Sequence, residues 1–343
     1  MSTPLLEARN ITRTFGGGGL FGSDRAVTAV QNAHLVLPAN QPVVVAVAGE
    51  SGSGKTTLAR LLLGVLPPTS GSVQYGGRDL RKMDRQQRKT FRREVQAVFQ
   101  DPFEVFNPFY KVDHALNVPI GRFYPDLSRA ERRERIEEGL RGVGLRPEET
   151  LGRFPHQLSG GQRQRIMVAR ALMLDPRVIV ADEPVSMVDA SLRATILESL
   201  DRVHRERGIS LVYITHDLTT AYQVSRTLLV MYRGAVVEVG DVERVMREPK
   251  HPYTQLLVRS IPLPDPNRRW GGEQPARPAA TASAPDDSGC VFAGRCPHAM
   301  DACRQHQPPL LQTDPDRGAA CLLYEDAQPL SIEQIAALSH GEA

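Results

Sequence analysis

The sequence predicts an α/β domain with a largely parallel sheet over about residues 5–263. Three short apolar runs, at 43–48, 178–181 and 211–215, have the length of strands. Each run is apolar throughout, as parallel strands covered on both faces are. Amphipathic helical patterns lie between these runs, and this alternation of strand and helix is typical of an α/β fold.

Two helices carry terminal signals. Ser128 is followed three residues later by Glu131, which is the pattern of a capping box, and the charged run behind it alternates in sign like an exposed helix. We place this helix in a helical subdomain at about 100–175. A second helix is expected over 191–207, because its apolar residues form one stripe and Gly208 follows as a C-terminal stop signal.

Length and composition indicate an ordinary globular protein. The 343 residues suit one large domain with an appendage, and 41% are apolar and 24% charged. Lys and Arg number 42 against 39 Asp and Glu, and the basic stretch 85–93 carries no spaced aromatic residues. We therefore expect a solvated helix face there and no nucleic-acid partner.

No apolar run approaches the roughly 18 residues that a membrane-spanning helix needs. The first ten residues lack the basic and apolar regions of a secretory signal. The expectation is a cytoplasmic chain with reduced thiols.

The composition changes after the α/β domain. Residues 264–289 are rich in Pro, Ala, Gly, Asp and Ser and are predicted to form a linker. Residues 290–343 form a small extension that contains all four cysteines of the chain.

A glycine-rich segment directly follows the first predicted strand. Residues 49–57 read GESGSGKTT, which fits the phosphate-loop pattern G-x-x-x-x-G-K-[ST] and opens a helix. Backbone N–H groups and the helix N-terminus would bind the phosphates of ATP, Lys55 would reach the β and γ phosphates, and Thr56 would bind Mg²⁺. The alternative is a glycine-rich turn that matches by chance. The expected nucleotide contacts are Gly49, Ser51, Gly52, Ser53, Gly54, Lys55, Thr56 and Thr57.

The predicted strand 178–181 ends in Asp182 and Glu183. Ligands of open α/β sheets bind at the carboxyl ends of the strands, so both carboxylates are expected beside the phosphate loop. We assign Asp182 to the Mg²⁺ shell and Glu183 to the attacking water. A solvated strand end is the alternative.

The segment 158–162 reads LSGGQ and precedes a helical pattern. Together with the phosphate loop and the acidic strand end, it makes the chain resemble the ATP-binding-cassette (ABC) ATPases over about residues 5–263. A helix N-terminus with small residues and no cap is an anion site. The resemblance implies four residues that contact the γ-phosphate bound by a second protomer: Ser159, Gly160, Gly161 and Gln162.

Other positions follow from the same resemblance. Gln100, in VFQDP, is similar to the glutamine that contacts the metal and the attacking water. His216 is similar to the histidine that contacts the γ-phosphate, and Asp189 to the aspartate of the loop that communicates across the dimer. Phe15 is the candidate for stacking on adenine, with Phe21 as its rival. An isolated Gln would carry no signal by itself, and a lone His at a strand end is more often structural.

Two further segments resemble the oligopeptide and dipeptide importer ATPases. One is DPFEVFNPFYKV after Gln100, whose residues 103–109 would lie beside the groove for a membrane subunit, with burial in the core as the alternative. The other is the His-Pro-Tyr sequence at residues 251–253. The resemblance implies an ATPase subunit that energises import of oligopeptides or dipeptides or, within the same subfamily, of oligosaccharides or nickel.

The implied partners are a second ABC ATPase subunit, identical or paralogous, two transmembrane permease subunits, and an extracellular or periplasmic solute-binding protein. The implied location is peripheral, on the cytoplasmic face of the cell membrane. Two alternatives remain. A non-transport ABC ATPase of DNA repair or translation would be expected to have tandem cassettes or a long coiled-coil insertion, and an exporter ATPase a fused membrane domain or no His-Pro-Tyr extension.

The cysteines Cys290, Cys296, Cys303 and Cys321 have the spacing C-x5-C-x6-C-x17-C. Clustered thiols in a reducing compartment favour a metal over disulfides, and thiolates suit both zinc and iron–sulfur clusters. The resemblance to the importer ATPases implies a four-iron four-sulfur (4Fe-4S) cluster. Zinc, unligated thiols and a redox-sensing module remain as alternatives.

Overall fold

The structure, a computed structural model, describes most of the chain. Residues 262–288, which hold nearly all of the predicted linker 264–289, lie outside the described residues. The described ranges are 3–16, 26–100, 106–186, 188, 190–261 and 289–338.

Strands and helices alternate through the first part of the chain, as the sequence predicts. The strands are β1 (Leu6–Phe15), β2 (Val27–Leu37), β3 (Val44–Ala48), β4 (Ser70–Tyr75), β5 (Arg78–Asp79), β6 (Val95–Val98), β7 (Val178–Asp182), β8 (Ser210–Thr215), β9 (Thr227–Tyr232), β10 (Ala235–Asp241), β11 (Leu311–Asp314) and β12 (Arg317–Ala319). The helices are α1 (Lys55–Leu62), α2 (Arg85–Glu94), α3 (Val112–Phe123), α4 (Arg129–Gly142), α5 (Pro147–Thr150), α6 (Gly160–Leu172), α7 (Ala190–Arg207), α8 (Leu218–Val224), α9 (Val242–Arg247), α10 (Pro252–Arg259), α11 (Asp301–Gln305) and α12 (Ile332–Leu338).

A large sheet forms the centre of the fold, with strand order β11-β12-β10-β9-β3-β8-β7-β6. The stretch from β9 to β6 is parallel, and β10, β12 and β11 continue it in antiparallel pairings. Every residue of β3, β7 and β8 is buried, which confirms the three buried strands expected from the sequence. The carboxyl ends of these parallel strands share one edge of the sheet.

A smaller antiparallel sheet, β2-β1-β4-β5, covers α1 from the other side. Leu58, Leu61 and Leu62 of α1 are buried in one apolar cluster with residues of β1, β2, β3 and β9. This packing fixes α1, and with it the segment that joins β3 to α1.

Helices α3, α4 and α6 pack together through a second apolar cluster that also reaches β7 and α7. The predicted capping box at the start of α4 is confirmed, because the Glu131 N–H donates to Ser128 Oγ at 3.3 Å and the Ser128 N–H donates to Glu131 Oε2 at 2.7 Å. The predicted helix 191–207 corresponds to α7. In the part of the chain that the structure describes, no helix is long and apolar enough to cross a membrane.

The segment after residue 288 joins the large sheet. Strand β12 pairs with β10 through Ala319 with Glu238 and Arg317 with Gly240, and β11 pairs with β12. Helix α12 lies against β2, and at its end the carbonyl oxygen of Leu338 accepts a hydrogen bond from the hydroxyl of Thr227 on β9. The cysteine-containing extension is therefore held on the α/β domain by backbone pairing.

Arg317 is the side chain that anchors this segment. It is 2% exposed, pairs with Asp314, and donates to the carbonyl oxygens of Arg244 at 3.0 Å and Glu248 at 2.6 Å. Arg317→Ala removes a buried side chain together with its ion pair and hydrogen bonds, so we expect a loss of about 2–4 kcal/mol in the free energy of unfolding. Urea unfolding of both proteins measures this loss. The exposed Arg304 supplies the control Arg304→Ala, and a change at Arg317 no larger than the control's would contradict the expectation.

Candidate functional site

The segment between β3 and α1 is the glycine-rich loop predicted to bind phosphate. Gly54 caps α1 with φ 102°, and a Cβ atom there would collide with the carbonyl oxygen of Ala29. Gly52 also has a positive φ of 80°. Ser53 Oγ is buried and has no hydrogen-bond partner among the described residues. The backbone conformation therefore requires glycine, and the loop contains an unpaired polar atom.

Lys55 lies buried at the start of α1. Its Nζ donates to the carbonyl oxygens of Gly49 at 2.8 Å and Glu50 at 2.9 Å. Burial lowers the pKa of Lys55, and the nearby carboxylates of Glu183, Asp182 and Glu50 oppose this shift. A buried ammonium group thus points into the loop that the sequence assigns to phosphate.

Asp182 ends β7 and faces Thr56. Burial raises the pKa of Asp182, as does the neighbouring Glu183, whereas a hydrogen bond with Thr56 and the charge of Lys55 lower it. Asp182 Oδ1 is buried without a hydrogen-bond partner in the part of the chain that the structure describes. An unpaired carboxylate oxygen beside a hydroxyl is an oxygen donor set of the kind that Mg²⁺ accepts, so these residues fit the predicted metal site.

Glu183 follows β7 with a left-handed backbone, at φ 47°. Its N–H donates to the carbonyl oxygen of Ile214 at 2.9 Å, and its Oε1 lies 3.0 Å from His216 Nδ1. A non-glycine residue held at positive φ is strained, and such strain persists where neighbouring contacts fix it and clusters at active sites. Strand pairing of β7 with β8 thus brings the two predicted catalytic residues into contact.

The segment 158–162 begins α6, but its helix N-terminus is capped, contrary to the expectation of an uncapped anion site. The Gln162 N–H donates to Ser159 Oγ at 3.2 Å, and the Ser159 N–H donates to Gln162 Oε1 at 2.9 Å. The spacing of Ser159 and Gln162 already carries this capping-box signal. The Ser159 hydroxyl accepts in this box, so its own hydrogen stays available to a ligand.

The remaining predicted residues are less constrained. Gln100 is exposed just after β6, and Gln164 of α6 donates to the carbonyl oxygen of the preceding Phe99 at 3.3 Å. Phe15 is half-exposed at the end of β1, with the Arg13 guanidinium 4.7 Å from its ring centroid. Three other predicted elements lie wholly or partly outside the described residues: Asp189, Phe21 and residues 103–105 of the segment 103–109.

The His-Pro-Tyr sequence reaches the phosphate loop. The His251 N–H donates to Glu238 Oε2 and its Nδ1 accepts from the Tyr253 N–H, which seats the start of α10. Tyr253 Oη then accepts a hydrogen bond from the Glu50 N–H at 2.8 Å. No local sequence pattern marks this contact, since the two residues are far apart in the chain.

A second unpredicted contact reaches the same loop from residues 290–321, which hold the four cysteines and are called the cysteine segment below. The Arg295 guanidinium donates to both carboxylate oxygens of Glu50, at 2.9 and 3.1 Å. It also lies near the rings of Tyr232 and Phe292, 5.6 and 5.7 Å from their centroids.

The four cysteines line one cavity together with His251 and Phe292. All four are free thiols. Burial, together with the charges of the other three cysteines, raises the pKa of Cys321 to about 11. Among the described residues, no group of three or more His, Cys, Asp or Glu side chains is placed to hold a metal ion.

Comparison with known families gives two matches. The family described as ABC transporter matches residues 30–186. The family described as the C-terminal region of oligopeptide/dipeptide transporters matches residues 237–303, which include the His-Pro-Tyr sequence and three of the cysteines.

Curated relatives match over nearly the whole chain. The chain is 38% identical to a probable peptide ABC transporter ATP-binding protein of Sinorhizobium fredii, over 99% of this chain and 95% of that protein. It is 40% identical to the di/tripeptide transport ATP-binding protein of Pseudomonas aeruginosa, over 92% of this chain and 97% of that protein.

A solved structure has the same fold. The ATP-binding cassette MJ0796, in a dimeric post-hydrolysis state bound to ADP and Pi, superposes with a TM-score of 0.61 at 28% identity, over 69% of this chain and 98% of that chain. The fold, the site and the relatives agree, and the chain belongs to the ABC transporter ATPases, among the ATP-binding subunits of the oligopeptide/dipeptide importer subfamily.

Proposed function

We propose that this chain hydrolyses ATP at the edge formed by β3, β7 and β8 and thereby energises peptide import. The observation that carries the proposal is the convergence of a buried ammonium group, an unpaired carboxylate oxygen and a Glu–His pair at this one edge. These groups come from the ends of three parallel strands, where ligands of α/β sheets bind. The names of the relatives support peptides as the class of cargo.

Each side chain has a role that its surroundings favour. When ATP binds, Lys55 Nζ gives up a hydrogen bond to a loop carbonyl oxygen and binds a phosphate oxygen instead. The buried ammonium group then has a negatively charged partner. Thr56 and Asp182 would hold Mg²⁺, with Gln100 as a further ligand. When bound, Mg²⁺ neutralises charge on the β- and γ-phosphates. Glu183 accepts the proton of the attacking water, and His216 holds the Glu183 carboxylate and donates toward the γ-phosphate.

The second half of the site comes from another protomer. Ser159, Gly160, Gly161 and Gln162 of one chain contact the γ-phosphate of ATP on the other, with Ser159 donating its free hydroxyl hydrogen and α6 contributing the positive end of its dipole. The dimeric state of MJ0796 supports this arrangement. The second protomer is identical or paralogous.

The complete assembly contains two permease subunits and an external solute-binding protein, and this chain lies peripherally on the cytoplasmic face. Reconstitution of the chain with its co-purified membrane partners tests the cargo. We expect ATP-dependent uptake of labelled di- and tripeptides. Uptake of β-linked oligosaccharides without peptide uptake would contradict peptide as cargo and leave the ATPase assignment standing.

For the extension we propose a 4Fe-4S cluster held by Cys290, Cys296, Cys303 and Cys321. Support comes from the shared cavity and the free thiols. Thiolates suit zinc as well as iron–sulfur clusters, so zinc is the alternative for the same four side chains. A bound cluster would add cohesion to a segment with little core of its own.

The cluster has a direct test. Protein purified without oxygen is expected to contain about four irons per chain and to absorb visible light. Cys303→Ser is expected to lose both signals, and iron removal by a chelator should lower the melting temperature of the native protein. A colourless protein with stoichiometric zinc would contradict the cluster.

A further inference from the structure

Glu50, the second residue of the phosphate loop, is held by three separate parts of the chain. Its N–H donates to Tyr253 Oη at 2.8 Å, its carbonyl oxygen accepts from Lys55 Nζ at 2.9 Å, and its carboxylate binds both terminal nitrogens of Arg295. Glu50 is therefore tied to α10, to α1 and to the cysteine segment at once. The phosphate chemistry itself uses none of its side-chain atoms.

Arg295 is fixed on its own side as well. It ends a short 3-10 turn, Ala293–Arg295, and the Cys296 N–H donates back to the carbonyl oxygen of Ala293 at 3.4 Å. Its guanidinium also donates to Tyr232 Oη at 3.3 Å. A planar guanidinium bound to both oxygens of a carboxylate fixes orientation as well as distance. The cysteine segment thus holds the entry to the phosphate loop in one position.

We propose that Arg295 is a positioning residue for nucleotide binding, which acts on the phosphate loop through Glu50. The proposal rests on the assignment of residues 49–57 to phosphate. Once Arg295 is removed, the loop must be ordered by the nucleotide itself, and that cost lowers affinity. The α- and β-phosphates are common to ATP and ADP, so the loss falls on ground state and transition state alike and raises KM without lowering kcat.

The test compares Arg295→Gln, Glu50→Gln and the double variant in the full-length chain assembled with its partners. Each single change is expected to raise the KM for ATP and the Kd for Mg-ADP about three- to fivefold, as befits a partly exposed ion pair, with kcat within about twofold of the wild type. The double variant should lose no more than either single one, because both remove the same contact. Arg295→Lys keeps the charge but loses the planar, two-pronged guanidinium. Its KM for ATP and Kd for Mg-ADP should lie between those of the wild type and Arg295→Gln.

Arg304→Gln is the matched control, since Arg304 is exposed and adjoins Cys303 as Arg295 adjoins Cys296. We expect wild-type affinity there. Glu50→Gln leaves the cysteine segment itself unchanged. If Arg295→Gln is poorly folded, the Kd of Glu50→Gln for Mg-ADP therefore tests the proposal on its own. Wild-type Kd in Glu50→Gln, or fully additive losses in the double variant, would overturn the proposal. Lys55→Ala in the same series tests the underlying assignment separately, because unchanged Kd together with unchanged turnover there would refute the assignment of residues 49–57 to phosphate.

Discussion

Glu183→Gln is expected to lower the rate of ATP hydrolysis by about 10²–10⁴-fold while ATP binding stays intact. Glutamine keeps the size of the side chain but cannot accept a proton from water. The phosphate contacts come from other residues, namely the loop and Lys55, so affinity should change little. The variant should accumulate as an ATP-bound dimer, measurable by size-exclusion chromatography with ATP and by single-turnover kinetics.

Glu198→Gln supplies the control, because Glu198 is an exposed glutamate of α7 away from the strand ends. It should hydrolyse ATP at the wild-type rate. Comparable turnover in Glu183→Gln and the wild type would remove Glu183 from the role of base. The left-handed backbone at Glu183, φ 47°, makes one further substitution informative. Glu183→Gly should also lose turnover, yet it relieves strain and should not lower stability through the backbone.

Lys55→Ala should weaken binding of Mg-ATP by roughly 10–100-fold, since a buried, charge-assisted contact to phosphate is lost. Its Nζ is 2.8 Å from the carbonyl oxygen of Gly49 and 2.9 Å from that of Glu50, so the side chain is positioned before any ligand arrives. Isothermal titration with Mg-ADP and with Mg-ATP measures the change.

Lys89→Ala is the control for Lys55, because Lys89 is an exposed lysine of α2. The affinity of Lys89→Ala for Mg-ATP should match that of the wild type. If Lys55→Ala bound nucleotide normally while turnover fell, Lys55 would act on the transition state only. That result would contradict the ground-state phosphate contact argued above.

Local signals predicted much of the fold and of the site. The buried strands could be recognised because both of their faces are covered, which makes every residue apolar. The capping box of α4 could be recognised because its two partners, Ser128 and Glu131, are only three residues apart in the sequence. The phosphate loop and Asp182 could be placed together because parallel strands end at one edge of the sheet.

Contacts between distant parts of the chain had no such signal. Glu50 and Arg295 are 245 residues apart, and nothing in either local sequence marks the other as a partner. Strands β11 and β12 are short and partly polar, so no apolar run in the sequence predicts them. The left-handed backbone at Glu183 accompanies a hydrogen bond from its N–H to the carbonyl oxygen of Ile214 on the neighbouring strand, a contact that only the folded sheet creates.

The pairing of β12 with β10 has a consequence for any shortened form of the chain. Ending the protein after residue 261 would remove β12, which pairs with Glu238, Val239 and Gly240 on one side of β10. An exposed strand edge can pair with a strand of another molecule, and native proteins cover or interrupt such edges. A truncated protein should therefore self-associate with increasing concentration, even though every residue assigned to ATP chemistry is still present.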